Sequence, residues 1–296
     1  MTGYEALRES AAWLDLDARG RIRMTGEDRV RLLHAMCTNN IEALQTGESC
    51  YAFFLNAQGR ILCDANVVKL DDSILLDTEP ETHDVLYGHL DKYIIADDVT
   101  LTDERGSWSA VGVEGPQAPA VLEKLDAGAV RSHWTFTGAA GGRLFVPREG
   151  KAALVAQLGV PAVSAGEAEV VRLENGRPRY GSDVTEKNLL HETQLLHAVH
   201  FSKGCYLGQE IVERVRSRGQ VHRLLVPLTI ESASAPDPGS TVMAGDAQAG
   251  ETTSSAFSPA LGKCVAFAYL RAEYARPGTA LQVGGANAEV SAASGK

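Results

Sequence analysis

Between Cys50 and Asp77 the chain alternates short apolar runs with turn residues, and no other stretch constrains the fold as tightly. Residues 51–55 form a first strand, Asn56-Ala57-Gln58-Gly59 a turn and residues 60–70 a long second strand. Asp71-Asp72-Ser73 makes a second turn before a third strand at 74–77. Connections this short between strands require antiparallel neighbours, because a parallel pair needs a crossover of a dozen residues or more. Helical stretches bracket this meander. One follows Thr25-Gly26-Glu27-Asp28, with Thr25 as cap and Val30, Leu32, Leu33 and Met36 as its apolar face. Another spans 81–90 after Pro80. Antiparallel strands interrupted by helices predict an α+β architecture, not a parallel doubly wound sheet.

Further along, the pattern predicts a strand pair at 93–103 and 107–114 and a helix from Gly115-Pro116 to Leu125. Weaker strand signals lie at 143–146 and 152–154. A helix-like stretch at 170–174 stops at Asn175-Gly176, an ordered loop runs over 177–188 and a short helix over 189–199. Past Gly219 only β runs remain, at 221–230, 241–243, 264–270 and 280–290, separated by Gly and Pro, which predicts a small antiparallel barrel or sandwich. A boundary near residue 220 therefore divides a two-subdomain α+β region, 1–220, from a barrel domain, 221–296.

Composition narrows the function. With 44% hydrophobic and 22% charged residues the 296-residue chain has the balance of a water-soluble globular protein, without an apolar run long enough for a membrane span. The first twenty residues carry Glu5, Glu9, Asp15 and Asp17 and lack the order of a signal peptide, so a cytoplasmic location is expected. A net charge of -10 argues against a nucleic-acid partner. The five cysteines (37, 50, 63, 205, 264) contain no C-x-x-C pair, and no metal site or disulfide framework is expected. His191-Glu192-Thr193-Gln194-Leu195 breaks the zinc-hydrolase pattern at its last position, and His197 and His200 lack an evident third ligand.

The chemistry concentrates in Lys203-Gly204-Cys205-Tyr206-Leu207-Gly208-Gln209-Glu210, followed by Arg214. Cys205 is either a buried thiol in a tight turn or an exposed one activated by Lys203 and by a helix opening at Gly208. Glu174, in Arg172-Leu173-Glu174-Asn175-Gly176, is either a solvated helix-end carboxylate or a bidentate partner for a 2-amino-4-oxo heterocycle. Arg223 follows the turn at 219 and is either an ordinary strand-edge arginine or a partner for a ligand carboxylate. Asp64 is expected to face solvent from its strand, and the acids at 77, 79, 81 and 84 to form a solvated surface run.

The octet with Arg214 resembles the signature of the YgfZ family, folate-binding relatives of the glycine cleavage T-protein (aminomethyltransferase) linked to repair or maturation of iron–sulfur proteins. The resemblance covers nearly the whole chain. Leu55-Asn56-Ala57-Gln58-Gly59-Arg60-Ile61 is similar to the family's L-N-x-x-G-x-I hairpin, Gly115-Pro116-Gln117-Ala118 to its G-P-x-A helix start, and residues 172–178 to R-x-E-x-G-x-P. It implies three subdomains around a central channel and a tetrahydrofolate or one-carbon derivative as ligand, with Glu174 as pterin contact and Cys205 as characteristic thiol. Lys203, Gly204, Tyr206, Gly208, Gln209, Glu210 and Arg214 are the thiol's companions. Iron–sulfur enzymes or assembly proteins are the implied partners. Two departures point away from glycine cleavage itself: none of the acids at 77–84 sits in a recognisable T-protein context, and the T-protein lacks the octet. Three readings follow, namely iron–sulfur support with folate, folate-dependent aminomethyl or methyl transfer, and a protein-binding scaffold without folate.

Overall fold

The computed structural model describes residues 1–125, 128–219 and 221–292. The meander is the core of a five-stranded antiparallel sheet, whose strands lie in the order Ser49–Leu55, Ile61–Lys69, Ser73–Thr78, Gly20–Thr25, Thr100–Asp103. Because strand residues alternate between faces, Ala52, Phe54, Cys63, Ala65 and Val67 pack with helices Arg29–Met36 and His83–Asp91. Tyr51, Phe53 and Leu55 point the other way, into a second core shared with the 180–212 segment and the barrel. The sheet is thus buried on both sides, so few of its positions can face water.

A four-stranded sheet, in the order Ala12–Asp15, Trp108–Glu114, Gly141–Pro147, Val130–Ser132, forms a second unit. Helices Ala118–Glu123 and Lys151–Leu158 cover one of its faces. Helices Gly3–Glu9 and Ala165–Glu174 pack on the other, between it and the first sheet. The third unit is a closed six-stranded barrel formed by Arg223–Ile230, Lys263–Arg271, Ala247–Ser258, Thr241–Ala244, Ala280–Val283 and Ala286–Val290. Closure removes sheet edges, and Val226, Leu228, Ile230, Val242 and Leu270 fill its interior.

Several expectations change. Thr25 ends a strand instead of capping a helix, which starts at Arg29 after a turn at Gly26. That glycine has φ +104°, and a Cβ there would meet the Asp98 carbonyl oxygen. The strands Thr100–Asp103 and Trp108–Glu114 do not pair with each other but belong to different sheets. Residues 152–154 lie in the helix Lys151–Leu158, as their alanine content favours. The helix expected over 189–199 is two separate 3-10 turns, Leu190–Thr193 and Leu196–Ala198. Strand Ala247–Ser258, twelve residues long, was hidden by its small and hydroxylated side chains. The boundary expected near 220 falls at Gln220, outside the described residues.

Candidate functional site

Asp64 lies directly opposite Phe53, and Asn66 opposite Tyr51, so these four share the sheet face turned away from the two helices. Asp64 is 5% exposed, contrary to the expected solvent-facing position. An acid inside the otherwise uncharged run Ile61–Val68 is on a central strand covered on both faces, which leaves no outward side for it. Tyr51 donates its hydroxyl to Asp64 Oδ2 at 2.6 Å. Asp64 Oδ1 is buried without a partner.

The four-stranded sheet contributes Trp134, from the segment between strands Val130–Ser132 and Gly141–Pro147. The Trp134 backbone N–H donates to Ser132 Oγ at 3.1 Å, which holds the residue in place. Its ring stacks on Tyr51 with centroids 4.2 Å apart and planes within 8°. The guanidinium carbon of Arg177 lies 3.4 Å from the Trp134 centroid. Two groups this close cannot share one ring face, so the indole is held between tyrosine and guanidinium. The stack borders a cavity of about 20 Å³, room for about one water. This cavity shares Glu79, Phe136 and Arg179 with a larger one of about 600 Å³, whose apolar wall includes Leu14, Leu16, Val163 and Ala168. The larger volume falls in the range of small-molecule sites.

The acids expected as a surface run divide. Asp84 is exposed, but Asp77 and Glu79 are buried and paired. Asp77 accepts from Arg19 Nε at 2.8 Å and from Arg143. Glu79 accepts from Arg19 and from Arg179 Nε at 2.9 Å. Burial alone would raise the Glu79 carboxyl, but Arg19 and Arg179 outweigh it and hold it below the usual carboxylate range. Asp64 has no such partner. Burial, with the Glu79 charge adding to it, pushes Asp64 up to about 7 against the opposing pull of the Tyr51 hydroxyl and Arg19. Burial also pushes Arg177 down to about 10, with no hydrogen bond among the causes of the shift.

The residues singled out in the sequence occupy other places. Glu174 closes the helix Ala165–Glu174, and both of its oxygens are taken by the chain itself. Oε1 accepts from the hydroxyls of Tyr4 at 2.6 Å and Ser258 at 2.5 Å, and Oε2 accepts from Arg8. These bonds tie the N-terminal helix and the barrel to the end of helix Ala165–Glu174, and Glu174 lines neither central cavity. Arg223 pairs with Glu192 at 2.9 Å, with its guanidinium over Tyr269, so its carboxylate partner comes from the chain.

In the octet, Lys203 does not turn to the thiol. Its ammonium is buried and donates to the carbonyls of His34 and Cys37, at the end of helix Arg29–Met36, where a cation is favoured. Tyr206 is buried in the second core and the Leu207 N–H donates to Ala35 O. Gly208 has φ +85°, and a Cβ on it would lie 2.7 Å from Asn56 O and 2.9 Å from Leu55 Cβ. Gly59, in the facing turn, is equally tight against Ile211. The hairpin 55–61 and the octet, far apart in sequence, therefore interlock through two glycines. Gln209 opens the helix Gln209–Arg218, and Glu210 and Arg214 form an i,i+4 pair on its exposed surface. Between these anchors Gly204, with φ +102°, and Cys205 are left exposed.

Sequence reasoning missed Tyr51, Asp64, Trp134 and Arg177 as a group, because three separate segments supply them. The one usable signal was Asp64, a lone acid among apolar neighbours on the middle strand of a hairpin series.

Comparisons with known proteins agree with this architecture. A GCVT N-terminal domain matches residues 2–140, and a glycine cleavage T-protein C-terminal barrel domain matches residues 223–294. An aminomethyltransferase of Streptomyces avermitilis is 30% identical over 93% of this chain and 82% of its own length. One from Rubrobacter xylanophilus is 25% identical over 91% and 78%. The crystal structure of glycine cleavage system aminomethyltransferase T from Bartonella henselae superposes with a TM-score of 0.89 at 21% identity, covering 98% of this chain and 87% of that one.

Proposed function

The chain belongs to the glycine cleavage T-protein (aminomethyltransferase) family, and from that premise we propose that it binds a tetrahydrofolate or one-carbon derivative at the Tyr51–Asp64–Trp134 centre and, as a YgfZ-type member, supports iron–sulfur enzymes through Cys205. The observation that carries this reading is the interlock of Gly208 with the hairpin turn. It braces an exposed thiol against the same sheet that carries Tyr51 and Asp64, so ligand site and thiol share one rigid support. The residues suit such a ligand. A ring N–H of the pterin finds an unpartnered acceptor in Asp64 Oδ1, beside the hydroxyl of Tyr51. The larger cavity offers room for the rest of the molecule. Glu174, the pterin contact implied by resemblance, would have to leave Tyr4, Arg8 and Ser258 to serve in that role. Client iron–sulfur enzymes or assembly proteins would meet the protein at the exposed octet loop, in the cytoplasm. No helix among the described residues is long and apolar enough to cross a membrane.

A second reading, folate-dependent aminomethyl or methyl transfer, is favoured by Asp64. A carboxyl held at about 7 with one free oxygen can carry or release a proton near neutral pH, as transfer at a folate amine requires. Scoring several iron–sulfur enzymes in a strain lacking the gene separates the two. Complementation by wild type but not by Cys205→Ala is the expected result, and full rescue by Cys205→Ala would remove the thiol from the account. One-carbon transfer from a glycine cleavage carrier protein, lost in Asp64→Asn, would establish the second reading.

A further inference from the structure

Arg177 differs from the other arginines at the centre. Arg19, Arg143, Arg172 and Arg179 each donate to a carboxylate of the chain. Arg177 donates to none among the described residues, and its guanidinium rests instead on Trp134. The opposite face of that ring is closed by Tyr51. Trp134 and Arg177 are half-buried at the rim of the small cavity, with the unpartnered Asp64 Oδ1 behind them.

A guanidinium and an aromatic ring compete for the same seat on an indole, since both bind it by stacking. A guanidinium displaced from that seat needs an acceptor, because its charge is held where burial already works against it. A neutral ring brings no such acceptor, whereas an anionic ligand does, and a carboxylate matches the guanidinium fork with two hydrogen bonds.

We propose that Trp134 and Arg177 form a subsite for an aromatic ring that carries a carboxylate: the ring takes the seat of Arg177 on Trp134, and Arg177 turns to pair with the carboxylate. The proposal rests on the tetrahydrofolate reading in that the aminobenzoyl-glutamate half of that ligand has this composition. It makes Arg177 the residue that distinguishes a complete folate from a bare reduced pterin, and Trp134 the platform on which the distinction is made. No covalent step is involved.

The test compares tetrahydrofolate, tetrahydropterin without the tail, and 4-aminobenzoyl-glutamate alone, titrated calorimetrically into wild type, Arg177→Met and Arg177→Lys. Wild type is expected to prefer tetrahydrofolate over tetrahydropterin by at least about tenfold. Arg177→Met should erase that preference while leaving tetrahydropterin affinity unchanged, which also verifies that the variant is folded. Arg177→Lys should keep part of it. A preference that survives in Arg177→Met overturns the inference and leaves the folate reading intact. If wild type binds neither tetrahydrofolate nor tetrahydropterin, the folate reading fails. In that case binding of 4-aminobenzoyl-glutamate, lost in Arg177→Met, would still uphold the subsite, and its absence would overturn the subsite as well.

Discussion

Asp64 owes its chemistry to its surroundings. An aspartate ordinarily titrates near about 3.9, whereas here burial and the neighbouring Glu79 charge hold the proton on to about 7. Because the folded value is raised, the stability contributed by the protonated form is complete below about pH 4 and is lost as pH rises through about 7. Asp64→Asn keeps the shape and removes the titration. Relative to wild type, it should therefore gain about 2–4 kcal/mol between pH 4.5 and pH 8. Urea unfolding at the two pH values checks this, and an unchanged difference would mean that Asp64 is ionised in the fold. Glu174 has the opposite character, with every contact satisfied inside the chain. Its replacement by alanine should lower stability by about 1–3 kcal/mol through the loss of the helix-to-barrel tie, a loss visible in the same unfolding experiment.

Among the elements, the octet loop carries the most information, and its parts do different work from those its composition suggests. Lysine beside cysteine reads as thiol activation, yet Lys203 is spent on the end of helix Arg29–Met36. The two glycines also differ. Both have positive φ, but a Cβ at Gly204 meets nothing within 4 Å, while one at Gly208 collides with the hairpin. Gly204→Ala should therefore cost about 1–2 kcal/mol, the conformational strain alone. Gly208→Ala should cost more, about 3 kcal/mol or above, since hairpin and helix must also separate. Thermal unfolding of the two variants reads the difference, and equal losses would contradict the interlock. The strands of the first sheet were legible because turn residues punctuate apolar alternation at 56–59 and 71–73. Strand Ala247–Ser258 was not, because alanine, serine and threonine carry no contrast between its faces. Lys151–Leu158 was misread for want of such a contrast too.

Over the whole molecule, two sheets and a loop meet where no single stretch of sequence points. Tyr51 and Asp64 come from the five-stranded sheet, Trp134 from the four-stranded one, and Arg177 from the loop between helix Ala165–Glu174 and the octet. Such a site is invisible to spacing, because its successive members stand 13 to 70 residues apart along the chain and are joined only by packing. The fold class and the C-terminal β runs were legible, since each follows from local periodicity and turn chemistry, and the motifs pointed to the wider T-protein family. The site required the sheets to be assembled. The proposed placement of a tetrahydrofolate-type ligand at this junction, and not at Glu174, is decided by calorimetric titration of tetrahydrofolate. Binding to wild type is expected, weakened at least about tenfold in Trp134→Ala and nearly unchanged in Glu174→Ala. Binding that is abolished in Glu174→Ala and indifferent to Trp134→Ala, or no binding to wild type at all, would contradict it.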